Sequence, residues 1–484
     1  MKNNTDTSIT GLNRRQFVSG AGGAAAVAAG ATTLAVGSAE AAESAVAGGC
    51  KTAGCDYDVI VIGGGFSGVT AARDSQKNGL KTLLVEARNR LGGRTFSADF
   101  EGSPIELGGT WIHNTQPFVW AEAQRYGAEV FETPGAVADV MQAIMPDGTR
   151  STLTEDQILE VVLGWEAYCE KAREILPRPY ELLHNRDAAL KAEKISATDH
   201  LRSLDLTPLQ NTFNEAMIAV IVSNHANEMS YLEVLRLHLL GGGYFPTFMD
   251  STTRFQIVGG SGSLLNSILD DGAPDTRLAT PIKAIHDQGD KVVVTTSRGE
   301  KIKAGAVIST VPMNTINAIE FQPPLPQGVV EAGREGHPGQ GIKLYMKVEG
   351  DLGNIASFAA DLPFNYAMTY KQGKGYTIVV GFSAGADQLD AYDEEAAQAA
   401  LQQHLPGAKV LSVMHYDWVN DPYSRGTWAT YRTGWVAKYY DQFQKESGRV
   451  FFGSGDHGEG WRGTIDSAIG AGSIAARKVS ELLS

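Results

Sequence analysis

The sequence is poor in the residues that build metal centres and disulfide frameworks. Its 484 residues include only three cysteines, none of them in a C-x-x-C pair, and its ten histidines show no H-E-x-x-H spacing. Iron–sulfur clusters and structural zinc sites are therefore disfavoured, and we expect no metal ion to take part in the chemistry.

Basic residues are also in the minority. The chain carries 41 Lys and Arg against 55 Asp and Glu, which gives a net charge of −14. A charge of this sign disfavours nucleic acid or an anionic membrane as the main partner. Heptads and longer internal repeats are absent, and 43% hydrophobic residues are typical of a globular chain, here long enough for two or three domains.

The N-terminus has the pattern of an export signal. Arg14 and Arg15 precede an Ala- and Gly-rich stretch that carries no charge until Glu40, and residues 39–41 offer a small-x-small cleavage site. We predict a twin-arginine signal peptide over residues 1–41, a linker over 42–55 and a periplasmic protein. A stable membrane anchor is the weaker alternative, because Ala, Gly, Ser and Thr contribute little transfer energy. Whether the two linker cysteines pair stays open.

A buried strand followed by glycines predicts a nucleotide-binding start. The β-branched run 57–62 leads into G-x-G-x-x-G at 63–68, and a helix-prone segment follows. In this motif the first glycine permits a tight turn, the second lets the backbone approach a pyrophosphate, and the third lets helix and strand pack closely. A second strand over 80–86 ends in Glu86, which can accept hydrogen bonds from a ribose. The unit predicts a bound dinucleotide without choosing between NAD and FAD.

Two further glycine turns lie just beyond this unit. Residues 86–95 read E-A-R-N-R-L-G-G-R-T, and residues 106–111 read E-L-G-G-T-W. The first places Arg94 where its guanidinium could donate two parallel hydrogen bonds to a pyrophosphate. These two segments, in this order, resemble the flavin-containing monoamine oxidase family, whose members bind FAD through such turns.

The resemblance recurs in pieces, which implies a FAD-binding domain built from discontinuous segments. Residues 255–264, 281–285 and 306–312 resemble the family's central glycine-rich turn, the strand beside the adenine and the strand that returns under the cofactor. We predict an α/β fold with a Rossmann-like FAD-binding domain, of the two-dinucleotide-binding-domain flavoprotein type, and an α+β substrate-binding domain. The FAD-binding domain takes residues 56–135, 250–325 and 445–484, and the substrate-binding domain takes residues 136–249 and 326–444.

The segments of the substrate-binding domain have their own patterns. Helical spacing predicts helices over 155–176, 186–203, 208–240 and 386–404, and apolar runs predict strands over 342–348, 376–382 and 410–418. Helical insertions above a dinucleotide-binding domain are a common way to enclose a pocket.

The resemblance also implies which residues contact FAD. They are Gly63, Gly65, Phe66, Ser67, Gly68, Glu86, Ala87, Arg88, Gly93, Arg94, Gly108, Gly109, Thr110, Trp111, Ile282, Trp428, Gly455, Asp456, Thr464 and Ile465. Asp456 replaces the family's usual glutamate and is expected to accept a ribityl hydroxyl. Thr427 stands where some members carry the cysteine that attaches the flavin, so non-covalent FAD is expected.

Lys343, Trp428 and Thr464 are the candidates for catalytic roles. In the family, a lysine matching Lys343 hydrogen-bonds a water beside flavin N5, and Trp428 matches one wall of an aromatic cage. From the sequence alone, Lys343 could equally be a solvated charge on an edge strand, and Trp428 a packed core residue. Thr464 stands where mammalian-type enzymes carry the tyrosine that completes the cage, at the start of a helix expected to direct N–H groups at the flavin.

Other features resemble the bacterial enzymes that oxidise nicotine and related pyridine alkaloids, which also lack the second cage ring. They include W-I-H at 111–113, Q-P-F-V-W-A-E at 116–122 and F-M-D at 248–250. By the same resemblance, Trp111, Thr252 and Tyr366 line the substrate pocket. We expect an FAD-dependent amine oxidase that oxidises a C–N bond of a secondary or tertiary amine by hydride transfer to flavin N5. Its expected substrate is pseudooxynicotine or nicotine.

Two alternatives stand beside this expectation. An exported L-amino-acid or polyamine oxidase would share the fold, and the former would need an arginine for its substrate's carboxylate, with Arg254 and Arg432 as unsupported candidates. A non-catalytic flavin-bearing partner protein is the second alternative. The sequence does not choose between O₂ and a periplasmic cytochrome as electron acceptor, and it leaves open whether the chain forms a homodimer.

Overall fold

Two large β-sheets organise residues 50–484, the part of the chain that the computed structural model describes. The predicted signal peptide and residues 42–49 of the predicted linker lie outside the described residues. The strands are β1 (Tyr57–Ile62), β2 (Thr82–Val85), β3 (Ser97–Phe100), β4 (Ser103–Glu106), β5 (Val130–Glu132), β6 (Val140–Ile144), β7 (Arg150–Thr152), β8 (Phe255–Ile257), β9 (Asp275–Arg277), β10 (Ile282–Asp287), β11 (Val292–Thr296), β12 (Lys301–Ser309), β13 (Glu320–Gln322), β14 (Ile342–Glu349), β15 (Ile355–Ala359), β16 (Tyr366–Gly373), β17 (Tyr376–Ser383), β18 (Val410–Met414) and β19 (Val450–Phe452).

The first sheet has eight strands in the order β13-β10-β11-β12-β1-β2-β9, with β19 also paired to β12. At its centre, β1 pairs in parallel with both β2 and β12, and these Val- and Ile-rich strands are buried on both faces. Parallel strands end at one edge of a sheet, so the turns after Ile62, Val85 and Ser309 meet there.

The second sheet has seven strands in the order β18-β14-β17-β16-β15-β6-β7. Its strands come from residues 140–152 and 342–414, whereas those of the first sheet come from residues 57–85, 275–322 and 450–452. This separation is compatible with the predicted discontinuous domains, whose boundaries stay a prediction. Because β14 lies inside the sheet between β17 and β18, Lys343 is not on an edge strand.

The described part of the chain contains these α-helices: α1 (Phe66–Lys77), α2 (Pro117–Arg125), α3 (Glu155–Tyr168), α4 (Ala172–Ile175), α5 (Arg186–Ala192), α6 (Ala197–Arg202), α7 (Pro208–Val222), α8 (Tyr231–Leu240), α9 (Phe245–Thr253), α10 (Ser261–Gly272), α11 (Gln327–Glu335), α12 (Glu394–His404), α13 (Trp435–Phe443) and α14 (Ile465–Leu482). None of the helices among residues 50–484 is both long and apolar enough to span a membrane.

Several predicted elements are shorter than their sequence patterns indicated. The expected helix over 208–240 is two helices, because Ser223 takes a left-handed conformation (φ +54°) and Ser230 starts the next helix by capping it. The helices expected over 155–176 and 186–203 are also interrupted. The acidic helix begins at Glu394 because the Asp393 carboxylate caps it, and the strand over 410–418 ends at Met414.

The helix α14 packs along α1 beneath the first sheet. The contact is close because both helices are rich in small residues, and a Cβ on Gly472 would lie 2.2 Å from the Ser67 carbonyl oxygen. This packing brings the N-terminal ends of α1 and α14 to the same cavity.

Candidate active site

One elongated cavity of about 570 Å³ runs between the two sheets. It starts at the carboxyl ends of β1 and β2 and continues to the face of the second sheet that carries Lys343. All of the cofactor, catalytic and pocket residues predicted from the sequence line it, with two exceptions, Gly68 and Asp456. The sequence therefore located the walls of this cavity, although the role of each residue stays a prediction.

The glycines of the first turn differ in what they require. A Cβ on Gly68 would lie 1.7 Å from the Gly63 carbonyl oxygen, so Gly68 is needed for packing of α1 on β1. Gly65 is different, because its φ of −80° suits any residue and a Cβ there would meet no protein atom closer than 3.7 Å. Gly65 also lies on the wall of the cavity, where a ligand could approach its backbone.

The start of α1 supplies donors for an anion. Gly65 occupies the cap position of this helix, and no side chain caps it. Its first N–H groups and the positive end of its dipole therefore remain available at the cavity wall. An open cradle with unpaired N–H groups fits a pyrophosphate.

Glu86 lies at one end of the cavity and is buried. Its carboxylate accepts hydrogen bonds from the backbone N–H of Gly64 at 2.6 Å and of Arg88 at 2.8 Å. Each carboxylate oxygen keeps a further lone pair for a ribose hydroxyl. Arg88 in turn forms an ion pair with Asp421, with 2.5 Å between nitrogen and oxygen, and donates to Ser424 at 2.8 Å. These bonds hold the loop that leads to Trp428 against the dinucleotide turn.

Arg94 and Asp456 have partners other than those expected. The Arg94 guanidinium donates to the Thr427 carbonyl oxygen at 2.6 Å and forms an ion pair with Asp456. The fully buried Asp456 carboxylate also accepts from the backbone N–H of Met313 at 2.9 Å. Arg94 lowers the pKa of Asp456 to about 2 against the opposing effect of burial. Asp456 therefore holds Arg94 and the turn at Met313 in place and does not line the cavity as expected, whereas Arg94 does line it and its contact with the cofactor stays a prediction.

Lys343 lies at the far end of the cavity, below the Trp111 ring. Its Nζ donates to the carbonyl oxygens of Glu106 at 2.8 Å and Gly108 at 2.9 Å and to the hydroxyl of Thr110 at 2.5 Å. The nitrogen lies 4.7 Å from the Trp111 ring centroid. Burial lowers the pKa of this amine to about 7. Lys343 is therefore a buried, hydrogen-bonded amine at the cavity wall and not a solvated surface charge, and its burial disfavours the charged form.

Two indoles and one threonine surround the space near Lys343. The half-buried Trp428 ring is fixed by a 2.7 Å hydrogen bond from Nε1 to the Ile221 carbonyl oxygen, and Trp111 Nε1 donates to Thr133 at 2.9 Å. Thr464 faces the same cavity as the cap residue of α14. Its hydroxyl donates to the Trp461 carbonyl oxygen at 2.7 Å and accepts weakly from the Ser467 N–H. The cavity is thus lined by two hydrogen-bonded indoles and by one small side chain whose hydroxyl is also hydrogen-bonded.

Other parts of the site were not predicted. Apolar walls come from α7, α8 and α9 through Met217, Ile221, Leu237, Phe248 and Met249. Their signal was the helical apolar pattern, which does not distinguish a residue facing a cavity from one facing the core.

A buried charge cluster also joins the site to the helical layer. Arg462 lines the cavity, pairs with Glu233 at 2.7 Å and stacks on Tyr431, while Arg236 pairs with the same carboxylate at 2.9 Å. All three charged side chains are fully buried. No sequence pattern linked these positions.

The arginines considered for a substrate carboxylate are not at the cavity. Arg254 pairs with Glu132 and Asp250, and Arg432 pairs with Glu228. Within the described residues, no group of three or more His, Cys, Asp or Glu side chains could hold a metal ion.

Comparison with known proteins identifies the group to which the site belongs. A family described as flavin containing amine oxidoreductase matches residues 66–480. The chain is 36% identical to a pseudooxynicotine dehydrogenase of a Pseudomonas species over 99% of this chain and 97% of that protein. It is also 36% identical to a nicotine dehydrogenase of Pseudomonas putida, over 98% of both chains. Its fold resembles that of a putrescine oxidase, with a TM-score of 0.77 and 21% identity over 87% of this chain and 98% of the other.

Proposed function

Because the chain belongs to the flavin-containing amine oxidoreductases, we propose that it uses non-covalent FAD to oxidise a pyridine alkaloid amine, pseudooxynicotine or nicotine. One observation supports the proposal above all. A single cavity contains both the dinucleotide cradle at Gly65 and Glu86 and an apolar space that ends at Lys343 and Trp428. Relatives 36% identical over nearly their whole length are named for the same two amines.

The cradle and the turns would hold the cofactor. The start of α1 would bind its pyrophosphate and Glu86 its adenosine ribose, while the start of α14 and Lys343 would lie near its reactive ring. A flavin bound here supplies the hydride acceptor. The Thr427 hydroxyl is bonded to Ser223 at 2.9 Å, and none of the three cysteines lines the cavity, which supports non-covalent binding.

The chain's own residues position and desolvate the amine. Trp428 offers a fixed ring face against which the amine carbon can pack, and the apolar walls exclude water. In such surroundings the neutral amine is favoured over its ammonium form, because burial penalises charge. In its protonated form, Lys343 would place a positive charge at the same end of the cavity, where it would stabilise negative charge that develops on the acceptor.

The setting of the reaction is part of the proposal. The twin-arginine pattern supports export of the folded, cofactor-loaded protein to the periplasm, where O₂ or a cytochrome would take the electrons. The L-amino-acid alternative is not favoured, since Arg462, the arginine at the substrate end of the cavity, is already paired with Glu233.

Anaerobic titration tests the proposal. Purified holoprotein is mixed without oxygen with nicotine, pseudooxynicotine and simple polyamines, and flavin absorbance is followed. We expect bleaching by one or both alkaloids within seconds and little by polyamines, followed by recovery on adding air or an oxidised c-type cytochrome. Bleaching by polyamines or L-amino acids alone would contradict the substrate class, and no bleaching by any amine would support a non-catalytic flavoprotein.

A further inference from the structure

We call the part of the cavity that is lined by Trp111, Thr252, Lys343, Tyr366, Trp428 and Thr464 its substrate half. Most hydrogen-bond donors there already bond to other groups of the protein. Thr252 donates to the carbonyl oxygens of Phe248 and Met249 at 3.3 and 3.1 Å, and Thr253 donates to Met249 at 2.8 Å. The indoles of Trp111 and Trp428, the Thr464 hydroxyl and the Lys343 ammonium have partners as described above. A substrate therefore meets few free donors here.

Tyr366 differs from the side chains named above. Its side chain is buried, and its hydroxyl has no hydrogen-bond partner. Thr430 also lacks a partner, but its oxygen is covered by protein atoms, whereas that of Tyr366 is not. Tyr366 lines the main cavity and also a smaller apolar pocket of about 60 Å³ beside it. An uncovered, unpartnered hydroxyl in an apolar wall is suited to a ligand atom that accepts a hydrogen bond.

Sheet register places this donor and Lys343 on the same face of the second sheet. Lys343 lies directly opposite Phe382 on β17, and Phe382 lies directly opposite Tyr366 on β16. Directly paired residues face the same side of a sheet, and each strand step is about 4.8 Å, so the Cα atoms of Lys343 and Tyr366 are about 10 Å apart and their side chains lie on one face. The Phe382 ring fills the space between them, 6.4 Å from Tyr366 and 6.0 Å from Trp111 between ring centroids.

We propose that Tyr366 donates a hydrogen bond to the ring nitrogen of a pyridyl amine whose reacting C–N bond lies in the same cavity as Lys343. This inference rests on the proposed function and names the residue that would recognise the pyridine ring. Neutral pyridine nitrogen is an acceptor without a donor, which matches a lone hydroxyl. Tyr366 is thus a specificity-determining residue.

A substrate-by-variant comparison tests this. Wild type and Y366F are each assayed with pseudooxynicotine and with its phenyl analogue, which lacks the ring nitrogen. We expect wild type to prefer the pyridyl compound by about tenfold in kcat/KM, mainly through KM, since a bond remote from the reacting atoms binds ground and transition states alike. In Y366F the preference should disappear, with the phenyl compound unaffected.

The outcomes separate the inference from the proposed function. Y366F should retain its FAD content and melting temperature, because it removes a hydroxyl that makes no bond in the protein. Y392F, at a tyrosine that is 72% exposed, serves as the control and should keep the wild-type preference. Equal losses on both compounds in Y366F, or no preference in wild type, would overturn the role of Tyr366 while leaving amine oxidation intact. Failure of both compounds to bleach the flavin would instead overturn the proposed function.

Discussion

Thr464 shows how one side chain serves both the fold and the site. It lies on the cavity wall, yet its hydroxyl is engaged with Trp461 and with the first turn of α14. The tyrosine that the resemblance implies for mammalian-type enzymes would take up more of the cavity at this position. The hydroxyl itself is explained by helix capping and has no free hydrogen left for a substrate.

Removal of this hydroxyl should affect stability more than catalysis. T464V keeps the shape of the side chain and loses the cap, so we expect the free energy of unfolding to fall by about 1 kcal/mol. The value of kcat/KM should stay within about threefold of wild type, because no substrate contact is lost. T464S keeps the cap and should retain wild-type stability. Urea unfolding and steady-state assays measure both, and a large loss of activity with unchanged stability would assign the hydroxyl to the substrate.

The pH dependence of the reaction follows from the apolar surroundings of Trp428. Burial favours the neutral amine, so the substrate must lose its proton before or on binding. We therefore expect kcat/KM to rise with pH up to the pKa of the free amine and then to level off. The profile should shift when an amine of lower pKa is used. A flat profile across that pKa would show that the ammonium form binds equally well.

At the scale of elements, two glycines where β1 leads into α1, Gly65 and Gly68, are present for different reasons. Gly68 is enclosed by the Gly63 backbone, whereas Gly65 lines the cavity and a Cβ there would make only ordinary van der Waals contacts. Both glycines belong to one motif, but packing of the protein requires a glycine only at Gly68.

Two alanine substitutions should separate these uses. G68A should destabilise the protein by about 1–3 kcal/mol or more, because its Cβ overlaps a carbonyl oxygen. G65A should leave the melting temperature of the apoprotein unchanged while lowering FAD affinity at least tenfold, on the principle that the pyrophosphate needs this close approach. Flavin-to-protein ratio and melting temperature of the stripped proteins measure the two effects. Retention of FAD by G65A would place the cofactor elsewhere.

The helices α2 and α14 meet through one buried carboxylate. Asp466 accepts hydrogen bonds from the N–H groups of Phe118 at 2.7 Å and Val119 at 3.0 Å, at the start of α2. Burial nevertheless raises its pKa from 3.8 to about 6. Between these two values the folded protein holds this proton more firmly than the unfolded chain, so the contribution of Asp466 to stability decreases as pH rises.

D466N should remove this dependence. The amide oxygen can still accept from the two N–H groups, and no charge has to be buried. We expect D466N to gain stability relative to wild type between pH 4 and 6, by about 3 kcal/mol at most. Melting temperatures at pH 4.5 and 7.5 test this. An advantage of D466N that does not grow with pH would show that the N–H groups of α2 offset the cost of burying the carboxylate.

For the whole molecule, buried polar contacts join the helical layer and the two sheets at the cavity. Glu233 on α8 holds both Arg236 and Arg462, and the latter precedes α14. Lys343 on the second sheet similarly bonds the backbone of the Glu106 turn. The cavity is thus shaped by contacts between segments that are distant in sequence.

Loss of the shared carboxylate should be costly. E233A leaves two fully buried guanidinium groups without their anion, so we expect the free energy of unfolding to fall by about 3–5 kcal/mol. E181A, which removes an exposed pair with Arg178, should cost less than about 1 kcal/mol. Urea unfolding of the holoproteins compares them. A cost for E233A as small as that for E181A would mean that water reaches this cluster.

The sequence by itself determined the local features of the fold, which depend only on residues close together in the chain. The strand–glycine–helix unit at 57–77, the acid at Glu86 and the glycine turns up to Trp111 could be predicted, because their chemistry depends on spacing along a short stretch of backbone. Nearly all the residues that the motifs indicated as cofactor, catalytic or substrate contacts line the cavity. Helix limits were predicted less well, since periodicity continues across breaks that caps such as Ser230 and Asp393 decide.

Only the tertiary structure decided which groups meet across the chain. Arg94 and Asp456 are 362 residues apart, and Glu233 and Arg462 are 229 residues apart. Their pairing depends on how two sheets and a helical layer pack, which no local pattern encodes. The same packing removed Asp456 from the cavity and placed Tyr366 in one row with Lys343. Chain-local geometry therefore specified the nucleotide cradle, whereas long-range packing specified the charges and the free hydroxyl that face the substrate.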